Sequence, residues 1–109
     1  MTHAEDTAAD TVAGIALAVP GVAALHPGMF GEVGTYLPGR RVTGVRVGED
    51  RIEVHITVTA GAPIRQTAAQ VRSAVGAALP GLPVDVTVEE VTTPPPATGG
   101  DAELQEDRL

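Results

Sequence analysis

With no cysteine in the chain, its three histidines are the side chains best suited to chemistry. His3 lies near the start, His26 opens a glycine-rich stretch, and His55 sits within a segment of alternating polarity. No two of them are four residues apart, as a helical metal site requires, and no His-rich cluster exists. His55 could meet carboxylates across a sheet, on the Glu53 side or from the last apolar segment, but a solvated cross-strand position is the simpler expectation. The absence of cysteine excludes disulfides, a thiolate nucleophile and thiolate-held zinc or iron–sulfur centres. Ser73 is the only serine and has no histidine near it in sequence, so no nucleophile–base pair suggests itself. Glu89-Glu90 could be read as an acid/base dyad, yet charges at a strand end more simply discourage edge-to-edge aggregation. We therefore expect no catalytic residue, no cofactor and no metal ligand.

The segment Gly28-Met29-Phe30-Gly31-Glu32-Val33-Gly34 contains a literal GxxG, which KH domains use to clamp a nucleic-acid backbone between two helices. Here the central pair is Met-Phe rather than basic, a glutamate follows, and no helix-forming segment precedes it. The lysine and Ser/Thr of a phosphate-binding loop are missing, and so is a dinucleotide-binding glycine spacing. What distinguishes this stretch is where the few large side chains fall. Met29, Phe30, Tyr36 and Leu37 all lie in it, just ahead of Arg40-Arg41, and Phe30 and Tyr36 are the only aromatic residues of the chain. One expectation is that they fold back over an open sheet edge as a small apolar cluster. The other is that Phe30, Tyr36, Leu37, Arg40 and Arg41 form a partner-binding patch, since aromatic residues and arginine are enriched among interface anchors.

Which elements would position these residues? Val12, Ile15, Ala16 and Val19 recur at helical spacing, predicting a helix over residues 7–19, capped by Asp6 or Thr7 and stopped by Pro20-Gly21. Residues 22–25 form a short apolar run, plausible as a brief strand. Pro27, Gly28, Gly31, Gly34, Pro38 and Gly39 then argue for a loop through most of residues 26–41. Such a long connection is usually functional or mobile. Residues 42–47 and 51–59 read as a hairpin turning at Gly48-Glu49-Asp50. In its second arm Ile52, Val54, Ile56 and Val58 face one way, with Glu53, His55, Thr57 and Thr59 facing the other. Gly61-Ala62-Pro63 opens a second helix whose apolar stripe is Ile64, Ala68, Val71, Val75 and Ala78, closed by Pro80-Gly81. The last strand spans 84–91, with Val84, Val86 and Val88 inward. The order helix, three strands, helix, strand predicts an α+β fold: a two-layer sandwich with a small mixed sheet and both helices on one face. A single domain is expected over 7–91. Residues 92–109, rich in proline, glycine and acid, bury too little apolar area to offset ordering and are expected to be disordered.

Bulk composition narrows the function classes. The 109 residues hold one small domain, with a core drawn mostly from 17 Ala and 15 Val. A formal net charge of −7, with arginine as the only strong base, argues against sequence-independent binding to nucleic acid or anionic lipid. The longest apolar stretch, residues 12–25, is too short to span a bilayer and is interrupted by Pro20-Gly21. The residues before it are acidic where a secretory leader is basic, so a cytoplasmic location is expected.

Val19-Pro20-Gly21-Val22, the hairpin from Val42-Thr43-Gly44-Val45 to Val58, Gly61-Ala62-Pro63-Ile64 with Ala68, Val71-Arg72 and Val75, and Val84-Asp85-Val86-Thr87-Val88 ending at Val91 form a further pattern. It resembles the alkaline shock protein family, the envelope stress response proteins of Gram-positive bacteria. The likeness covers roughly residues 8–91, and Tyr36-Leu37-Pro38-Gly39-Arg40-Arg41 looks like the high-GC branch. What the resemblance implies is a non-enzymatic, self-associating cytoplasmic protein, held near the membrane by a small integral anchoring protein, with paralogues as further possible partners. The acidic tail is not part of the shared pattern. A KH-like module associated with nucleic acid or ribosomes is the alternative that a small α+β shape leaves open.

Overall fold

The computed structural model describes residues 3–93, so all but the first two residues of the acidic tail lie outside the described residues. Its elements are α1 (His3–Ala18), β1 (Val22–Leu25), β2 (Gly34–Leu37), β3 (Arg40–Thr43), β4 (Val45–Val47), β5 (Ile52–Val58), α2 (Ile64–Ala78) and β6 (Val84–Val91). The architecture is α+β, with two helices against a mixed sheet centred on β5.

β5 has neighbours on both edges. Along one runs β6, parallel, in register from Ile52↔Val84 to Val58↔Val91, with a bulge that slips Glu89 out of the pairing. Along the other lie β1 and β4, end to end and both antiparallel: Val22 pairs with Val58 and Leu25 with Ile56, while Val45 pairs with Val54 and Val47 with Ile52. The junction falls at His55. Its carbonyl accepts from the His26 N–H and its N–H donates to the Gly44 carbonyl, each at 2.9 Å. One edge strand is thus cut in two, and the residues between 26 and 44 make an excursion that leaves and returns opposite a single residue.

Alternation along β5 puts Ile52, Val54, Ile56 and Val58 into the core, all fully buried. Val12 and Ala16 from α1, Val19 just after it, and Val71 and Val75 from α2 join the same cluster, so both helices cover one face. Burying each such valine or isoleucine stabilises the fold by about 1.5–3 kcal/mol. The other face carries Arg46, Glu53, His55, Asp85 and Thr87.

Several expectations need correction. α1 begins at His3, four residues ahead of the predicted start, so Asp6 and Thr7 lie inside the helix rather than at its start. The stretch 26–41 is loop or turn over 26–33 and 38–39, as expected, but its later part holds an unpredicted hairpin: β2 and β3 pair from Gly34↔Thr43 to Leu37↔Arg40 around Pro38-Gly39. Gly39 at φ 76° supplies the left-handed position that such a Pro-Gly turn uses. The predicted strand over 42–47 breaks at Gly44 (φ 78°), where a Cβ would lie 2.9 Å from the carbonyl oxygens of both His26 and His55. On α2, Ile64 and Ala78 are exposed, and Thr67 is buried in the stripe instead. Its hydroxyl donates to the Pro63 carbonyl at 2.8 Å, which removes the cost of burying it.

Candidate protein-interaction site

The excursion between His26 and Gly44 begins with a tight turn. The Gly31 N–H donates to the Gly28 carbonyl at 3.1 Å, so Met29 and Phe30 occupy the two corner positions of a β-turn. Gly28 (φ 89°) and Gly31 (φ 75°) on either side adopt backbone that residues with side chains avoid. The corner pair projects outward: Met29 is 79% and Phe30 87% exposed. The fold-back reading therefore does not hold for these two, nor for Tyr36, which is 74% exposed on β2.

The turn is braced from all sides. His26 Nδ1 accepts the Gly28 N–H at 2.9 Å, Glu32 Oε1 accepts the Phe30 N–H at 3.2 Å, and the Pro27 carbonyl accepts the Val33 N–H at 2.8 Å. Behind it Arg41 reaches back from β3, and its Nη2 donates to the carbonyls of Gly31 (2.6 Å) and Val33 (2.9 Å). Arg46 Nη2 donates to the Glu32 carbonyl at 2.7 Å. Arg41 fits because its neighbour Gly34 has no side chain; a Cβ there would collide with the guanidinium. The same guanidinium lies 5.2 Å from the centre of the Tyr36 ring, directly across the hairpin.

The five predicted site residues thus separate. Phe30 and Tyr36 are displayed, and Arg41 joins the backbone behind the one to the ring of the other. Leu37 is half-buried and packs on the core, with Val33 and Val42 rooting the excursion beside it. Arg40 is turned to α1, where it makes a bidentate pair with Asp10 at 3.0 and 2.8 Å. That contact holds the Asp10 carboxyl below its ordinary range, chiefly through the hydrogen bond from Arg40. The displayed surface is aromatic and thioether, and the arginines are its frame.

The histidines prove more engaged than a solvated role implies. His55 Nδ1 and Glu89 Oε2 meet at 2.5 Å, with both side chains only 15% exposed. Alternation along β6 places Glu89 on the His55 face, and the bulge leaves its backbone out of the strand pairing. His26 Nε2 lies 3.6 Å from Glu90 Oε1. Among the described residues no group of three or more histidines and carboxylates is placed to hold a metal ion. The Gly28–Gly31 turn joins two strands, β1 and β2, and so lacks the flanking helices of a KH clamp. No helix among the described residues is long and apolar enough to cross a membrane.

His26, Glu32 and Arg46, which brace the turn, carry no motif that sequence reasoning could have found. Comparison with protein-family models, with curated proteins and with solved structures returns no match.

Proposed function

We propose that this chain is a non-enzymatic association module of the alkaline-shock type, which self-associates and is held at the membrane by a small integral anchoring protein. The resemblance in hydrophobic pattern and Gly/Pro placement supports the family and its envelope-stress role. One structural observation carries the association reading: Met29 and Phe30 stand exposed on a turn whose flanking polar groups are held from within the chain. An apolar side chain presented on a backbone already held in place needs no loop ordering on binding, so its burial translates efficiently into affinity.

The test compares the full chain with Phe30→Ala/Tyr36→Ala by sedimentation velocity and by co-purification with the membrane fraction, with a thermal melt as control. We expect both association readouts to weaken by more than about 1 kcal/mol, a factor of five or more, while the melt holds. Unchanged association with an intact melt would sink this reading.

A further inference from the structure

Six of the seven arginines lie among the described residues, and four of those are held within the fold. Arg40, Arg46 and Arg51 pair with Asp10, Glu53 and Asp85, and Arg41 donates to backbone carbonyls. Arg65 and Arg72 have no partner among the described residues. Both are exposed on α2, seven residues apart, which places them on one side of the helix about 10.5 Å from each other along its axis. No Asp or Glu occurs anywhere in α2. In a chain of net charge −7, this side of α2 is an isolated positive strip.

The acidic tail starts out beside that strip. Thr92, just past β6, is bound to the Val58 carbonyl through its N–H (2.9 Å) and to the Ala60 N–H through its hydroxyl (3.2 Å). Ala60 is only four residues ahead of Ile64, the first residue of α2, so the chain leaves the sheet at the Arg65 end of the helix. Beyond it come Pro94-Pro95-Pro96 and Gly99-Gly100, then Asp101, Glu103, Glu106 and Asp107 against the single Arg108. The nine residues from Thr92 to Asp101 can span up to about 28 Å at ~3.1 Å per residue. Residues 101–107 can cover about 19 Å more on the same measure, which exceeds the spacing of the two arginines.

We infer that the acidic segment 101–107 lies across the exposed side of α2 in its own chain, with its carboxylates against Arg65 and Arg72. Charge and reach agree, and neither depends on the association reading above. A segment tethered this closely is present at an effective concentration of the order of millimolar, so weak pairs suffice to keep it there. Exposed ion pairs contribute little to fold stability and are screened by salt, so the contact forms and releases without being packed into the domain. Its effect is on access. While the tail lies on α2, an acidic peptide from another molecule must displace it to reach these two arginines.

The chain's lack of cysteine allows a nitroxide to be placed at one position, through Ala102→Cys in the full chain. In isotope-labelled protein at low salt, the amide signals of Arg65, Ala69 and Arg72 should be lost to broadening. Those of His55 and Thr87, on the sheet face away from the helices, should persist. The lost signals should return at about 1 M salt, where the Debye length falls to about 3 Å. They should return equally at low salt in Arg65→Gln/Arg72→Gln, with a thermal melt to verify folding. If that variant melts early, Asp101→Asn/Glu103→Gln/Glu106→Gln/Asp107→Asn removes the same contact from the tail side. No broadening on α2, broadening spread evenly over both faces, or broadening that survives loss of the charges would each overturn the proposal. A mixture of isotope-labelled chain without nitroxide and unlabelled chain carrying it should show no broadening. Signals lost in that mixture would assign the segment to a second copy and overturn the contact within one chain.

Discussion

Arg41 shows how one side chain can define a surface without being part of it. Its guanidinium supplies donors to two carbonyls of the excursion and packs on Tyr36, while its Nε is buried with no hydrogen-bond partner among the described residues. Arg41→Ala therefore leaves the Gly31 carbonyl without its donor and the Val33 carbonyl with the Gly44 N–H alone, which costs about 1–3 kcal/mol where the Gly31 group remains dry. We expect a lower melting temperature and, in the same variant, weaker association, because the turn loses its backing. Arg41→Lys should recover little, since a single ammonium on a flexible stem does not reproduce the planar fork against the ring. A melt of Arg41→Ala equal to wild type would mean that the excursion is held by the hairpin alone. The inward direction of Arg41 could not be read from the sequence. Arginine beside arginine looks like an exposed basic patch, whereas on a strand the two point to opposite faces and the missing side chain at Gly34 leaves room for one of them.

At the scale of elements, β5 is the strand on which the sheet depends, paired on one edge along its whole length and on the other by two partners in succession. Val54→Asp places a carboxylate in the core with no partner, a cost of several kcal/mol against a total stability of about 5–15 kcal/mol, and should abolish the folding transition. Thr87→Ala, on the uncovered face of β6, should change stability by no more than about 0.5 kcal/mol. Chemical denaturation of the two variants measures the contrast; equal effects would mean that the strand faces are misassigned. β5 and the first six residues of β6 were legible because unbroken alternation has few competing explanations; in β6 it ends at the Glu89 bulge. β2 and β3 were not, because their four-residue arms lie among glycines and prolines that read as loop. The break at Gly44 had a visible sign, an isolated glycine within an apparent strand, whose meaning depended on a close approach by backbone from residue 26. On α2 the stripe was misplaced because a threonine that satisfies its own hydroxyl can be buried like a valine.

For the whole molecule, the described residues end just past β6, which is tied down at its end. The Thr92 N–H donates to the Val58 carbonyl at 2.9 Å, and the Thr92 hydroxyl accepts from the Ala60 N–H at 3.2 Å. The register of the parallel pair is complete at that point. Removing residues 94–109 should shift the unfolding free energy by no more than about 0.5 kcal/mol, as expected for a segment whose composition offers almost nothing apolar to bury. A fall of many degrees in the melting temperature on truncation would show that these residues pack on the domain.

The meeting of His26 and Gly44 across one residue of β5 has a consequence for how such a chain can diverge. The two ends of the excursion are held together by the strand itself, so its length contributes only a loop-closure entropy, about 0.6 kcal/mol for each doubling. Insertions and deletions near the tip are cheap, while those that displace Val33 or Val42 open the core. Lineages descended from such a chain could change what they recognise by lengthening, shortening or rewriting residues 28–32, with the sheet inherited unaltered beneath them.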